Sequence, residues 1–275
     1  MKEAALSVLP TAMRVQGRAF LPNYLCDIWD RVTGRADPEL PPRHLNISGD
    51  GPFREYGQNI VNLCVTHAGL QANDSVLDIG CGIGRTALAL AKFLGPSGRY
   101  TGFDVIKFAI EWCQRHIARV RRGFAFVHAD IYNKFYNPGG GIEADRYEFP
   151  FQAGEFSFAL ATSLFTHVLP STASHYLRET GRVVSPGGRF LSTWFLLDGE
   201  SSAWASHKMQ FPYAFEEYAL HSLHAPEQAV AYRRDFAERS FREAGLAIEA
   251  VYRGSWSGLS AEAASMQDVI VARKV

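Results

Sequence analysis

The stretch Val76-Leu77-Asp78-Ile79-Gly80-Cys81-Gly82-Ile83-Gly84-Arg85 constrains the fold more than any other part of the chain. A short apolar run, Ser75–Ile79, ends in three alternating glycines. It passes into a helical pattern over Arg85–Leu94, which Gly95-Pro96 stops. Strand, glycine bend and helix together form the start of a crossover in an open, mainly parallel α/β sheet. Ligands sit at the carboxyl end of such a strand. Gly80 suits a tight turn, and Gly82 and Gly84 let a ligand approach the backbone with no side chain in the way. Asp104, twenty residues beyond Gly84, ends the next expected strand, Arg99–Phe103. A carboxylate there can accept hydrogen bonds from both hydroxyls of a ribose.

Such a ribose belongs to a dinucleotide or to an adenosine derivative. The dinucleotide fingerprint needs G-x-G-x-x-G directly after the strand. Counted from Gly80 its third glycine falls at Arg85, and counted from Gly82 it falls at Ala87, so neither fits. The spacing here is G-x-G-x-G, with Asp78 two residues ahead of it. An acid at that point suits a cationic amine and would repel a pyrophosphate.

The rest of the chain continues the alternation. Strands are expected at Phe124–Ala129, Phe156–Thr162, Arg189–Phe195, Ala247–Tyr252 and Gln267–Arg273. Helices are expected at Phe53–Ala68, Lys107–Arg122, Thr172–Val184 and Phe236–Ala244. A further short helix fits the aromatic segment with Tyr24, Ile28 and Trp29, ahead of the irregular connection imposed by Pro38, Pro41 and Pro42. Two aromatic-rich stretches, 132–151 and 197–232, interrupt the pattern, and long connections inside a compact domain usually carry function.

Taken together these segments resemble the class I S-adenosylmethionine-dependent methyltransferases. The glycine bend is similar to their first motif, Asp104 to the acid after their second strand, and His128-Ala129-Asp130-Ile131 to their third-strand motif. Arg182-Val183-Val184-Ser185-Pro186-Gly187-Gly188 resembles their late helix-turn-strand, and Gln267-Asp268-Val269-Ile270-Val271 their last strand. One departure is Phe156-Ser157, where many relatives have Phe-Asp.

The resemblance implies an α/β, Rossmann-like seven-stranded sheet with its last strand antiparallel, flanked by helices. The chain would be one domain: an N-terminal helical extension over 1–69, a cofactor core over 70–195 and 233–275, and a lid or acceptor insertion over 196–232 after the fifth strand. S-adenosyl-L-methionine is the implied cofactor. Its methionine part would lie over Gly80, Cys81, Gly82 and Gly84, with Asp78 near the amine. Arg85 would meet the carboxylate, or is an ordinary arginine at a helix start. Tyr56 and Gly57 are weaker candidates for closing over that end. Asp104 with Val105 would take the ribose, Asp130 would face the adenine amino group, Ile131 would cover the ring, and Ser163 would touch the cofactor through its backbone.

Methyl transfer is an in-line displacement, so the protein mainly aligns nucleophile and methyl about 3–3.5 Å apart. A base is needed only for an acceptor that is protonated at neutral pH. The end of the fourth strand reads Thr162-Ser163-Leu164-Phe165-Thr166-His167, and His167 is either that base or a structural histidine. Trp194, Trp204, Phe211 and Tyr213 are candidate walls of an acceptor pocket, or ordinary core.

Composition narrows the acceptor. Lys+Arg and Asp+Glu are 28 each, so no global charge calls for a nucleic acid. The only Pro-Pro lies at 41–42, far from the fourth strand where adenine amino methylation would require it, and no cysteine follows a proline as cytosine ring methylation requires. The expectation is a small-molecule acceptor methylated on oxygen or nitrogen. The alternatives are a protein or peptide acceptor, then a nucleic acid, then a cofactor-binding protein without catalysis. Cys26, Cys64, Cys81 and Cys113 match no zinc spacing, so no metal is expected. With no apolar run of 18–20 residues, the expected setting is the reducing cytoplasm, away from any membrane.

Overall fold

The computed structural model describes residue 13 and residues 17–46, 52–199, 209–258 and 263–275. In chain order the helices are α1 (Phe20–Val32), α2 (Phe53–Ala68), α3 (Arg85–Phe93), α4 (Lys107–Cys113), α5 (Pro170–Val183) and α6 (Arg234–Glu243). The strands are β1 (Ser75–Ile79), β2 (Arg99–Asp104), β3 (Phe124–His128), β4 (Phe156–Ala161), β5 (Val184–Trp194), β6 (Leu196–Leu197), β7 (Tyr213–Ala214), β8 (Tyr218–Leu220), β9 (Val230–Arg233), β10 (Leu246–Tyr252) and β11 (Asp268–Lys274).

A seven-stranded sheet runs in the order β10-β11-β5-β4-β1-β2-β3. β1 with β4, β4 with β5 and β2 with β3 are parallel, whereas β11 is antiparallel to both β5 and β10. The Rossmann-like sheet with its last strand reversed is therefore present. Its middle strands are apolar on both faces, as strands covered by helices on two sides must be: Val76, Leu77 and Ile79 of β1 and Ala159, Leu160 and Ala161 of β4 are all fully buried.

Contacts divide the chain into two compact units, Met1–Val61 with Gly80–Ala144 and Asn62–Ile79 with Asp145–Val275. In the first, β2 and β3 run in register from Tyr100↔Phe124 to Asp104↔His128, and the Tyr100 and Phe124 rings stack at 5.0 Å. The helix expected to continue to Arg122 stops earlier. After Cys113 it widens into a π-type turn over Gln114–Ala118.

In the second unit the core is aromatic. Trp194 stacks on Phe165 at 4.1 Å and 11°, and Phe190 and Phe241 pack beside them. The stretch 197–232 is more regular than its sequence suggests. Leu196–Leu197, Val230–Arg233, Tyr218–Leu220 and Tyr213–Ala214 make a second, four-stranded sheet in the order β6-β9-β8-β7. Asp268, fully buried at the start of β11, ties this region together. It accepts hydrogen bonds from the Leu196 and Gly254 backbone N–H groups, both at 2.8 Å, and from Trp256 Nε1 at 2.7 Å.

Candidate functional site

The first unit contains the glycine bend. Gly80, Gly82 and Gly84 have φ of 78°, 54° and 77°, a left-handed region that side chains other than glycine's rarely adopt. The N–H groups of Gly80 and Cys81 both bond the Phe103 carbonyl, at 3.0 and 3.1 Å, fixing the bend against the end of β2. Asp104 turns toward it. One of its oxygens accepts from the Gly82 N–H at 2.8 Å and the other from the Ile106 N–H at 2.9 Å. Burial pushes the carboxyl up, and the hydrogen bonds from Gly82, Ile106 and Val105 pull it back toward the ionised form. Each carboxylate oxygen keeps lone-pair capacity for a second donor. Val105 follows directly, its carbonyl 3.2 Å from His128 Nε2.

Arg85 opens α3 and is 5% exposed. Its guanidinium carbon lies 4.5 Å from the centre of the Tyr56 ring and 5.2 Å from that of Phe53, with Asn46 Oδ1 3.4 Å from Nη2. Burial lowers its pKa from the usual arginine value. An arginine lying solvated at a helix start would carry none of these features. Gly57 makes the arrangement possible, because a Cβ there would stand 2.4 Å from the Arg85 carbonyl oxygen. Arg85 is thus an oriented, partly desolvated cation.

The adenine-side residues divide. The Asp130 side chain is exposed, whereas Ile131 is 2% exposed and its carbonyl accepts from Asn137 Nδ2 at 3.0 Å. A bridge between Ile131 and Ile142 closes residues 132–141 into a loop. The expectation that Ile131 presents its side chain to a ring is corrected. The side chain is packed in the protein, and Asp130 is the exposed member of the pair.

The second unit holds the acceptor-side candidates together with two cofactor-side ones, Asp78 and Ser163. Asp78 lies in β1, 1% exposed. Ser163, just past β4, is the only non-glycine residue among those described with a positive φ, 55°. Two neighbours hold it there. Its N–H bonds Thr193 Oγ1 at 2.7 Å, and its hydroxyl bonds Gln267 Oε1 at 3.1 Å, while Gln267 Nε2 donates to Thr166 Oγ1 at 3.2 Å. Backbone strain of this kind persists only where the surroundings enforce it, and it collects at functional positions.

Four residues beyond, His167 Nδ1 lies 3.0 Å from the Glu227 carbonyl oxygen. A carbonyl cannot donate, so Nδ1 carries the proton and Nε2 is the basic nitrogen. Burial pushes the imidazole below its ordinary pKa, which keeps it neutral.

Two of the expected acceptor walls are corrected. Trp194 is fully buried, stacked on Phe165, with its indole N–H on Ser192 Oγ at 2.8 Å. Phe211, 5% exposed, packs with Phe195, Leu197 and Trp256. Both are core. Tyr213 is 42% exposed on β7, and Trp204 lies outside the described residues. Sequence reasoning missed Thr193 in β5 and Gln267 just ahead of β11, which support Ser163 from positions distant in sequence, and Asn46 and Phe53 around Arg85. No local pattern marks any of them. Among the described residues no cluster of His, Cys, Asp or Glu is placed to hold a metal ion, and no helix is long and apolar enough to cross a membrane.

Comparison with known proteins supplies the family context. Residues 76–188 match the family model described as a methyltransferase domain. Over 183 residues the chain is 24% identical to an uncharacterized 37.1 kDa protein in transposon TN4556 of Streptomyces fradiae, covering 66% of this chain and 46% of that protein. The chain thus spans about half the length of that curated relative. A SAM dependent methyltransferase from Aquifex aeolicus is similar in structure, with a TM-score of 0.53 at 16% identity over 82% of this chain and 95% of its own. So is the Burkholderia thailandensis 1,6-didemethyltoxoflavin-N1-methyltransferase, solved with 1,6-didemethyltoxoflavin and S-adenosylhomocysteine. Its TM-score is 0.52 at 19% identity over 94% of this chain and 88% of its own. At these identities the likeness is one of fold.

Proposed function

Over residues 76–188 the chain is a class I S-adenosylmethionine-dependent methyltransferase domain, and from that premise we propose that it methylates an oxygen or nitrogen of a small-molecule acceptor. The observation that carries the cofactor half of this reading is Asp104. It is a buried carboxylate bonded to the Gly82 and Ile106 N–H groups beside three glycines of positive φ. S-adenosylmethionine supplies the activated methyl group, on a sulfonium.

The chain's own residues do the rest. Asp104 accepts the ribose hydroxyls, Asp130 accepts from the adenine amino group, and Arg85, backed by Tyr56 and Phe53, takes the methionine carboxylate. Asp78 would pair with the amine. Ser163 would touch the cofactor through its backbone, and on the acceptor side His167 Nε2 removes a proton where the acceptor carries one. Tyr213 and Trp204 remain the candidate walls.

Three things favour a small molecule. The chain has no formal net charge, it lacks the fourth-strand motif of adenine methylation, and the Burkholderia neighbour is a 1,6-didemethyltoxoflavin-N1-methyltransferase. No disulfide joins the four cysteines, which supports a reducing, cytoplasmic setting.

The test is transfer of tritium from methyl-labelled S-adenosylmethionine into separated fractions of a cell extract. Label in the low-molecular-weight fraction is expected. Label confined to protein or to nucleic acid would overturn the choice of acceptor class.

A further inference from the structure

Helix α1 is amphipathic the wrong way round. Leu21, Tyr24, Leu25, Ile28, Trp29 and Val32 recur at helical spacing and form one apolar stripe, with exposures between 43% and 79%. The only buried residue of this helix is an acid, Asp27. Its carboxylate accepts from the Arg43 N–H at 2.8 Å and the His44 N–H at 3.0 Å, and meets His44 Nδ1 at 2.6 Å. The Tyr24 and Phe20 rings meet the His44 ring edge-on, at 5.1 and 5.6 Å. The helix is therefore anchored through its polar side and its neighbouring aromatic edge, and it turns its apolar side outward. A soluble monomer rarely exposes a contiguous apolar patch beyond a few hundred Å².

We propose that this stripe is the dimer interface of the protein, covered by the same stripe of a second copy packed antiparallel across a two-fold axis. Three observations favour a second copy over another partner. The stripe contains no charged residue, so nothing in it selects an acidic or basic ligand. The chain has zero formal net charge, so two copies approach without long-range repulsion. The exposed area of the six side chains is roughly 700 Å² per copy, close to the ~800 Å² per partner of a standard stable interface. An antiparallel pairing of the same patch is self-complementary, as a two-fold interface must be, and it opposes the two helix dipoles.

Sedimentation velocity on the full chain from 1 to 50 µM tests this. The wild type is expected to run at twice the chain mass. The double variant Leu25→Glu/Trp29→Glu is expected to run as a monomer, its dimer dissociation constant raised at least 100-fold. Its far-UV circular dichroism and S-adenosylhomocysteine affinity should be unchanged, since neither residue belongs to the cofactor site. Val32→Glu, at the most exposed position, is the milder second variant and should weaken the dimer in the same direction. A monomeric wild type at 50 µM overturns the proposal. Flotation with phosphatidylcholine vesicles then says whether a lipid surface is the occupant instead. A dimer that survives the double variant also overturns it, by moving the interface elsewhere.

Discussion

Replacing Gly57 with alanine tests the packing that orients Arg85. The added Cβ would lie 2.4 Å from the Arg85 carbonyl oxygen, 3.1 Å from its carbon and 3.5 Å from Ala89 Cβ. Ordinary contacts begin near 3.4 Å, so α2 and the first turn of α3 must part by about 1 Å. The obstacle is backbone and cannot rotate away, which sets the overpacking cost near the top of its usual range, about 3 kcal/mol. Alanine returns about 1 kcal/mol of helix propensity over glycine.

The net loss is about 2 kcal/mol, and at 2–4 °C per kcal/mol in a chain near this size the melting midpoint should fall by about 4–8 °C. Displacing Tyr56 also weakens its hold on the Arg85 guanidinium, 4.5 Å away. Such contacts are worth about 0.5–2 kcal/mol, so S-adenosylhomocysteine affinity should drop by roughly 2- to 30-fold. Differential scanning calorimetry and isothermal titration read the two effects. An unchanged or raised midpoint would mean that propensity outweighs contact, and that α2 does not pack on α3 as described.

The acceptor side gives two further expectations. His167→Ala should reduce turnover by about 10²–10⁴ with a protonated acceptor, while cofactor affinity stays within about two-fold, as single-turnover assays beside a binding titration would read. Because burial lowers the folded-state pKa of His167, the unfolded chain binds the proton first as pH falls. Turnover should therefore be flat above about pH 6.5, the ordinary histidine value, and decline only below it. The stability this residue contributes is likewise present above that value and lost on acidification. Activity that keeps rising well above pH 7 would point to a different base. Gln267→Leu removes the partner of both Ser163 and Thr166. It should cost about 1–3 kcal/mol in urea unfolding and lower kcat through a loosened Ser163, with the leucine variant unable to recover what asparagine or glutamate in part restores.

Much of the fold was legible because its signals are local. The run before Gly80 is apolar on every residue but Ser75 and Asp78, as a strand covered on both faces must be, and the glycines mark a bend that positive φ makes almost obligatory. The expected bounds of α2 are the observed ones, because its apolar face repeats cleanly up to Gly69.

What failed depends on distant partners. Trp194 and Phe211 carry no mark in sequence that separates a pocket wall from core, and their burial comes from Phe165, Phe195 and Trp256. The strands of the 197–232 stretch are two to four residues long, too short for an alternation to register. The end of α4 was overrun because nothing in Gln114–Ala118 breaks the helical pattern, although the hydrogen bonding widens there. Gln267 meets Ser163 across 104 residues of chain, and no spacing rule reaches that far.

The most direct test of the account is calorimetric titration of S-adenosylhomocysteine into the wild type and into Asp104→Ala, with circular dichroism as the control for fold. Two ribose hydrogen bonds to a carboxylate are worth about 1.5–3 kcal/mol each, so the wild type should bind one equivalent and the variant should bind at least about 100-fold more weakly. Equal affinity in a folded variant would contradict the assignment of Asp104 and the glycine bend as the cofactor cradle.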